Sequence, residues 1–408
     1  MSKITEILSQ KINANYALIE NWFEEKFTQT PPLFYNSTDL RHNGIKITPV
    51  DTNCFPAGFN NLSEFSHKKA KDIADEFLAK YFPDAKKILI IPENHTRNLR
   101  YLENVRNLQN LLNSREVVVG SVSEEIKETV KIDLENGHFL ELHSLKKESN
   151  NLLTAEGFTP DLIILNNDLT DGIPEILKNL TTPIIPSPEM GWHRRTKSDH
   201  FTIYNKLAEE LSNLIDLDPW LISSMHRSCH EVNFKEQIGT QDLANYVDEL
   251  IKEIAKKYQQ YDIDEAPYCY MKADNGTYGM AVLPVFSGAD ILEINKKERN
   301  KMSTLKGSVQ ISSIIIQEGV RTIDTISDKI AEPMIYLIGG KIVGNLFRAN
   351  ENRTKETSLN AAGASFFDLT DLEESQIKLG SDKNNIKQIY SLIARLAALA
   401  AAQENTNL

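Results

Sequence analysis

Three short apolar runs, Ile88 to Ile91, Val117 to Val119 and Leu162 to Leu165, constrain the first half of this chain most. Each has the length of a buried strand, and strands alternating with helical patterns specify an α/β domain, here over roughly residues 35 to 200. The first run ends in Glu93-Asn94-His95-Thr96-Arg97-Asn98 and the third in Asn166-Asn167-Asp168. Polar clusters at the C-terminal ends of such strands are where α/β sheets hold ligands. The alternative is that Asn98 caps the helix whose pattern runs on to Leu112.

Length points to two or three domains, because 408 residues exceed one ordinary core and the 41% apolar content is ample to fill them. The boundary is expected near residue 200, giving an N-terminal α/β unit over 1–200 and a second unit over 201–408. The net charge of −12 argues against nucleic-acid binding, which needs clustered Lys and Arg. An anionic substrate would then require a local basic pocket. Cys54, Cys229 and Cys269 are odd in number and widely spaced, so neither a disulfide framework nor a zinc site is indicated and a reducing cytoplasm is expected. No leader pattern and no run of about 18 apolar residues suggests export or a membrane span.

Residues 3 to 29 carry Ile4, Ile7, Leu8, Ile12, Tyr16, Ile19 and Phe23 at helical spacing and end at Pro31-Pro32. A second helical pattern runs from Ser63 to Tyr81. Residues 183 to 206 interleave aromatics with Arg194, Arg195 and Lys197, either as the basic pocket or as the start of a surface helix. Residues 201 to 260 read as helical with a break at Asp218-Pro219, which makes His226 and His230 helix residues lacking a third metal ligand. A charged helix is expected over roughly 287 to 305, and an Ala/Leu-rich helix from about Ile386 onward. Glu293-Ile294-Asn295 falls on a helical stretch, where i and i+2 diverge, and is set aside as a metal pair.

The second half is organised around Tyr270 to Val282, in which Lys272 ends an apolar run and opens onto Asp274-Asn275-Gly276-Thr277-Tyr278-Gly279. Two glycines let backbone amides approach a phosphate chain, with Lys272 as a mobile charge; Asn275-Gly276 equally makes a tight hairpin turn. Upstream, Asp51-Thr52-Asn53 ends a strand on which i and i+2 share a face, supplying two hard oxygen ligands for Mg2+ or, alternatively, caps for the next turn. Arg41 lies nearby on the same hairpin-like unit. The run Ile311 to Ile316 ends in Gln317-Glu318-Gly319-Val320, where backbone is available to a purine edge and Glu318 to ribose hydroxyls. Glu332 to Arg348 reads as two strands around Gly339-Gly340. Ser358 to Ala364 is a run of small residues that permits close approach of backbone to a ligand.

This ordered series resembles the ATP-grasp fold, in its glutathione-synthetase-like branch. The strings DLRHNGIKITPVDTNCFPAGFNNL, PENHTRN, NNDL, GWHRRTKSDHF, MKADNGTYGMAV, QEGV and FRANENR are similar to the bacterial glutamate-cysteine ligase family of that fold, from about residue 34 to the final helix. The resemblance implies an N-terminal α/β substrate domain, an ATP-grasp domain and a C-terminal helix. It implies ATP-dependent joining of the γ-carboxylate of glutamate to cysteine through an acyl phosphate, the first step of glutathione synthesis. Mg2+ would be held by Asp51, Asn53 and Glu332. Lys272 and Arg348 would be catalytic, and ATP would meet Lys272, Asn275, Gly276, Thr277, Gly279, Gln317, Glu318, Gly319, Val320 and Arg348, with Asn360, Ala361, Ala362 and Gly363 as a lid. Arg41, Arg97, Arg194, Arg195 and Lys197 are the candidates for substrate carboxylates. The synthetases carry a lysine two residues after the arginine, where this chain has Asn350. Cys54 reads as a neighbour of the metal strand rather than a nucleophile. A ligase with another acceptor and a non-catalytic nucleotide-binding regulator are the competing readings. The implied partners are glutamate, cysteine and ATP, with no nucleic acid or membrane and with a homo-oligomer left open.

Overall fold

The computed structural model describes residues 3–94, 97–276, 282–302 and 311–407. Three sheets result. The parallel runs expected in the first half form one sheet, in the order Val130–Asp133, Phe139–Glu148, Glu116–Ser121, Lys87–Pro92, Leu162–Asn166, Ile184–Ile185, with Asn151–Thr154 added on Phe139–Glu148. Its central members, Lys87–Pro92, Glu116–Ser121 and Leu162–Asn166, run parallel, and the first and last of them are largely buried, as continuous apolar runs require. Helices Glu64–Tyr81 and Leu99–Leu111 cover it, burying Ala70, Ile73, Phe77, Leu102 and Val105 in one core with Ile88 and Ile90. Ser63 and Asn98 cap these helices by accepting from Ser66 N and Tyr101 N, so Asn98 takes the capping role.

A second, antiparallel sheet runs Ser365–Asp368, Lys341–Ala349, Lys329–Ile338, Tyr35–His42, Ile47–Asn53. Strands from both sides of residue 200 therefore build one sheet. Gly339 and Gly340 both take positive φ (55° and 74°), which makes the expected Gly-Gly turn a tight primed one suited to the twist of its strands. The third sheet, His226–His230, Ser313–Glu318, Cys269–Ala273, Val282–Val285, is antiparallel throughout.

Four local expectations are corrected. His226 and His230 lie on a strand, because the apolar Ile314–Ile316 run demands an edge partner and that pairing overrides local helical pattern. Helices Lys197–Leu214 and Thr240–Gln260 flank that strand instead of merging. The helix over 3–29 is two, Lys3–Ala14 and Tyr16–Gln29, broken where the Asn15 amide bonds the carbonyl of Lys11. The charged stretch after 287 is likewise split, into Gly288–Leu292 and Lys296–Lys301.

The last helix, Lys383–Asn407, is apolar around most of its circumference and is accordingly surrounded. It packs on helices Lys3–Ala14 and Lys197–Leu214 and on the strands Tyr35–His42 and Ile47–Asn53. Among the described residues no helix is long and apolar enough to cross a membrane. Replacing the fully buried Leu396 by Ala is expected to lower unfolding free energy by about 2–5 kcal/mol, read from a urea titration of the full chain.

Candidate active site

Where the antiparallel sheets meet, a cleft of about 570 Å3, counting the solvent in its mouth, is lined from both ends of the chain. Asp39, Arg41, Val50 and Asp51 come from the early hairpin; Tyr270, Lys272, Ala273, Gly276 and Val282 surround the glycine-rich turn. Glu332 and Arg348 come from the Gly-Gly hairpin, Ser358 and Asn360 from the small-residue loop, and Lys197 from a helix start.

The floor is an ion-pair network. Glu332 and Arg348 stand opposite each other in register, and the Arg348 guanidinium bonds Glu332 Oε1 at 2.7 Å and Asp39 Oδ2 at 2.9 Å. Arg41 holds the other oxygen of Glu332, Nε to Oε2 at 3.0 Å. Burial works against the Glu332 charge, but Arg41 and Arg348 keep its carboxyl below the usual range. Asp39 goes the other way: burial, with Glu332 and Asp51 adding repulsion, raises it against the pull of Arg348. Among the described residues Arg348 Nε finds no acceptor.

Across the cleft, Asp51 pairs with Lys197, Oδ1 to Nζ at 2.5 Å. Burial would raise the Asp51 carboxyl, yet Lys197 and then Lys272 hold it low. Lys272 is pushed down to about 7, first by burial and then by Lys197 and Arg41, with Asp51 opposing. Its ammonium bonds Val50 O at 2.8 Å and Gln317 Oε1 at 2.6 Å.

The other expected residues are placed variously. Gln317 reaches Lys272, whereas Glu318, on the opposite face of the strand, is buried on Lys46 Nζ (3.0 Å) and Trp220 Nε1 (3.0 Å). The Gly319 N–H is taken by Tyr268 O, and Val320 is buried. Asn53 does not line the cleft; its Oδ1 accepts from Phe55 N at 2.9 Å, the turn-capping role. Arg195 is buried away from the cleft on both oxygens of Glu404 and on Thr52 O. Arg194 pairs with Glu189 at the surface, and Arg97 is exposed on the loop after Lys87–Pro92. Arg41 does line the cleft, but its donors go to Glu332, Tyr270 Oη, Lys355 O and Thr357 O. It anchors the segment leading into the small-residue loop. Asn275 is half-buried beside Gly276, and Ala361, Ala362 and Gly363 continue the loop beyond Asn360. Thr277 and Gly279 lie outside the described residues. Cys54 is buried and its thiol pushed up to about 12 by that burial, which disfavours a thiolate.

Asp39 is a cleft residue the sequence reading missed, while Tyr270 and Ser358 begin two of the stretches it singled out without being given a contact of their own. Asp39 carried a signal: it stands two residues before Arg41 on a strand. Asn350, where the synthetases have lysine, is buried, and its amide reaches Leu359 O (3.3 Å), Ala362 O (3.4 Å) and Ala361 O (3.5 Å). It braces the loop from beneath. Gly363, at φ +88°, completes that bend in a conformation side chains avoid.

Compared with known proteins, this mixed α/β chain is a ligase. A family model described as glutamate-cysteine ligase (GshA) matches residues 9–405, nearly the whole length. The crystal structure of a protein assigned as a gamma-glutamylcysteine synthetase, from Methylobacillus flagellatus KT, superposes with a TM-score of 0.91 at 36% identity, covering 100% of this chain and 98% of that one. The chain belongs to the glutamate-cysteine ligase family. D-alanyl-alanine synthetase A from Vibrio cholerae O1 biovar eltor aligns at a TM-score of 0.35 and 11% identity, over 76% of this chain and 80% of that one, too remote to inform the fold. No curated protein matches.

The family implies ATP and a divalent metal. Asp39, Asp51 and Glu332 offer hard carboxylate oxygens at one cleft, which fits a metal completed by phosphate oxygens. Among the described residues no group of three or more His, Cys, Asp or Glu side chains is placed to hold a metal ion without such added ligands. Glu332→Gln would leave Arg41 and Arg348 buried around a neutral amide, and is expected to cost about 3–5 kcal/mol of stability in urea unfolding.

Proposed function

We propose that the chain is an ATP-grasp enzyme of the glutathione-synthetase-like branch that makes γ-glutamylcysteine through an acyl phosphate, with Mg2+ as its metal. The observation that carries this reading is the meeting of Asp51, from near residue 50, with Glu332, Arg348 and Lys272, from the second half, around one cleft. A carboxylate is a poor electrophile. In the proposed reaction a γ-carboxylate oxygen of glutamate attacks the terminal phosphorus of ATP and ADP leaves. The cysteine amine then attacks the acyl carbon, and phosphate departs as the C–O bond breaks and the nitrogen loses a proton. No covalent enzyme intermediate is needed, in keeping with the buried, high-pKa thiol of Cys54.

Lys272 and Arg348 stabilise the charge that spreads over the transferred group. Asp51 and Glu332, with Asp39 beside them, would hold the metal, which when bound offsets repulsion between phosphates and incoming carboxylate. Lys197 is the member of the basic set whose ammonium lines the cleft with one carboxylate partner among the described residues, Asp51, and lies over the Trp192 ring. It is the best candidate to meet a substrate carboxylate. The glycine turn and the Ser358–Gly363 loop flank the nucleotide.

Incubated with ATP, Mg2+, glutamate and cysteine, the protein is expected to release phosphate only when both amino acids are present; release that persists without glutamate would refute the reaction. Lys272→Ala should lower kcat/KM by about 10²–10³-fold with the fold retained in circular dichroism. Bound phosphates favour the charged form of Lys272, so binding of a non-hydrolysable ATP analogue should take up a proton above pH 7. Its affinity should weaken as pH rises from 7 to 9, by up to about tenfold per unit. Calorimetry in two buffers of different ionisation enthalpy reads that uptake, and its absence would remove Lys272 from the nucleotide site.

A further inference from the structure

Asp274 follows the strand that bears Lys272 and opens the glycine-rich turn, yet it is fully buried. A buried carboxylate needs partners, and these come from two other elements. Its Oδ1 accepts from Ser198 N at 2.8 Å, and its Oδ2 from Ser198 Oγ at 2.7 Å and Ser313 Oγ at 3.1 Å. Its carbonyl accepts from Lys197 N at 2.8 Å, and its own N–H donates to Ser313 O at 3.0 Å. Lys197 and Ser198 are the first residues of an 18-residue helix, whose dipole favours an anion at that end. Helix capping alone does not account for the arrangement, because Thr196 already caps the helix through Asp199 N. What Asp274 adds is a tie from the glycine turn to the turn of helix that carries Lys197. The Lys197 ammonium is in turn 2.5 Å from Asp51. A run of hydrogen bonds thus joins the Gly276 side of the cleft to the Asp51 side, bypassing the open cavity.

We propose that Asp274 is a positioning residue that couples nucleotide binding at Asn275 and Gly276 to amino-acid binding at Lys197. The inference rests on the nucleotide reading of that turn. A nucleotide seated on Asn275 and Gly276 bears on Asp274 beside them, hence on the helix start and on how Asp51 holds Lys197, and by linkage an amino acid on Lys197 strengthens nucleotide binding by the same factor.

The test is titration calorimetry of the full-length protein with a non-hydrolysable ATP analogue and Mg2+, with and without saturating glutamate. In the wild-type chain glutamate is expected to tighten the analogue by about fivefold or more. In Asp274→Asn, which keeps the size and removes the charge, that factor should fall to about one. Ser198→Ala removes only the hydroxyl bond and should lower the factor partway; it carries the test if the Asn variant does not fold. A merely structural Asp274 would lower the melting temperature and leave the factor unchanged. That result, or a wild-type chain showing no coupling, overturns the proposal. Lys272→Ala binding the analogue as tightly as the wild type would instead overturn the nucleotide reading, whatever the Asp274 variant does.

Discussion

The buried carboxylate of Glu332, gripped by Arg41 on one oxygen and Arg348 on the other, is the interaction on which the cleft depends. Each partner arrives on a different strand of one sheet: Arg41 on Tyr35–His42, Glu332 on Lys329–Ile338, Arg348 on Lys341–Ala349. Isolated, each of these charges would be costly to bury; together they satisfy one another and set how the strands present their cleft faces. The same Arg41 reaches Lys355 O and Thr357 O while Tyr270 reaches Glu356 O, so the network also sets where the small-residue loop begins.

Around that floor the cleft balances opposite charges inside an acidic protein. Four cations, Arg41, Lys197, Lys272 and Arg348, face three carboxylates, Asp39, Asp51 and Glu332. The balance is uneven from site to site. Asp51 sits near two lysines and is held low against its burial, Asp39 is raised by burial and then by repulsion from Glu332 and Asp51, and Lys272 is burdened by burial and neighbouring cations. Each balance depends on burial and on the neighbouring charges, so altering one charge of the cleft shifts the others.

Much of the site was legible from residue order. Strand ends, the Gly-Gly hairpin, Lys272 near the end of its strand and the small-residue loop all lie where pattern and turn chemistry put them, because these signals are local. The arginines were less legible. Arg41, Arg194 and Arg195 look alike in sequence, but Arg195 is sealed against Glu404, more than two hundred residues away, and Arg194 meets a surface glutamate. Glu318 and Gln317 are neighbours with opposite fates, decided by which face of a strand meets Lys272. Asn350 was recognised as a departure from the synthetase pattern; its use as a brace beneath the loop became visible only once the loop carbonyls stood over it.

By itself the sequence determined the local elements, the family resemblance and the chemical types available: lysines and arginines for phosphate, carboxylates for metal, glycines where backbone must bend. Tertiary structure decided which of those groups share a cleft and which cancel one another in the interior. The physical reason is that strand pattern and turn propensity depend on near neighbours in the chain. Whether a charge is left for a ligand or consumed by an internal partner depends on sheet register and on segments hundreds of residues apart.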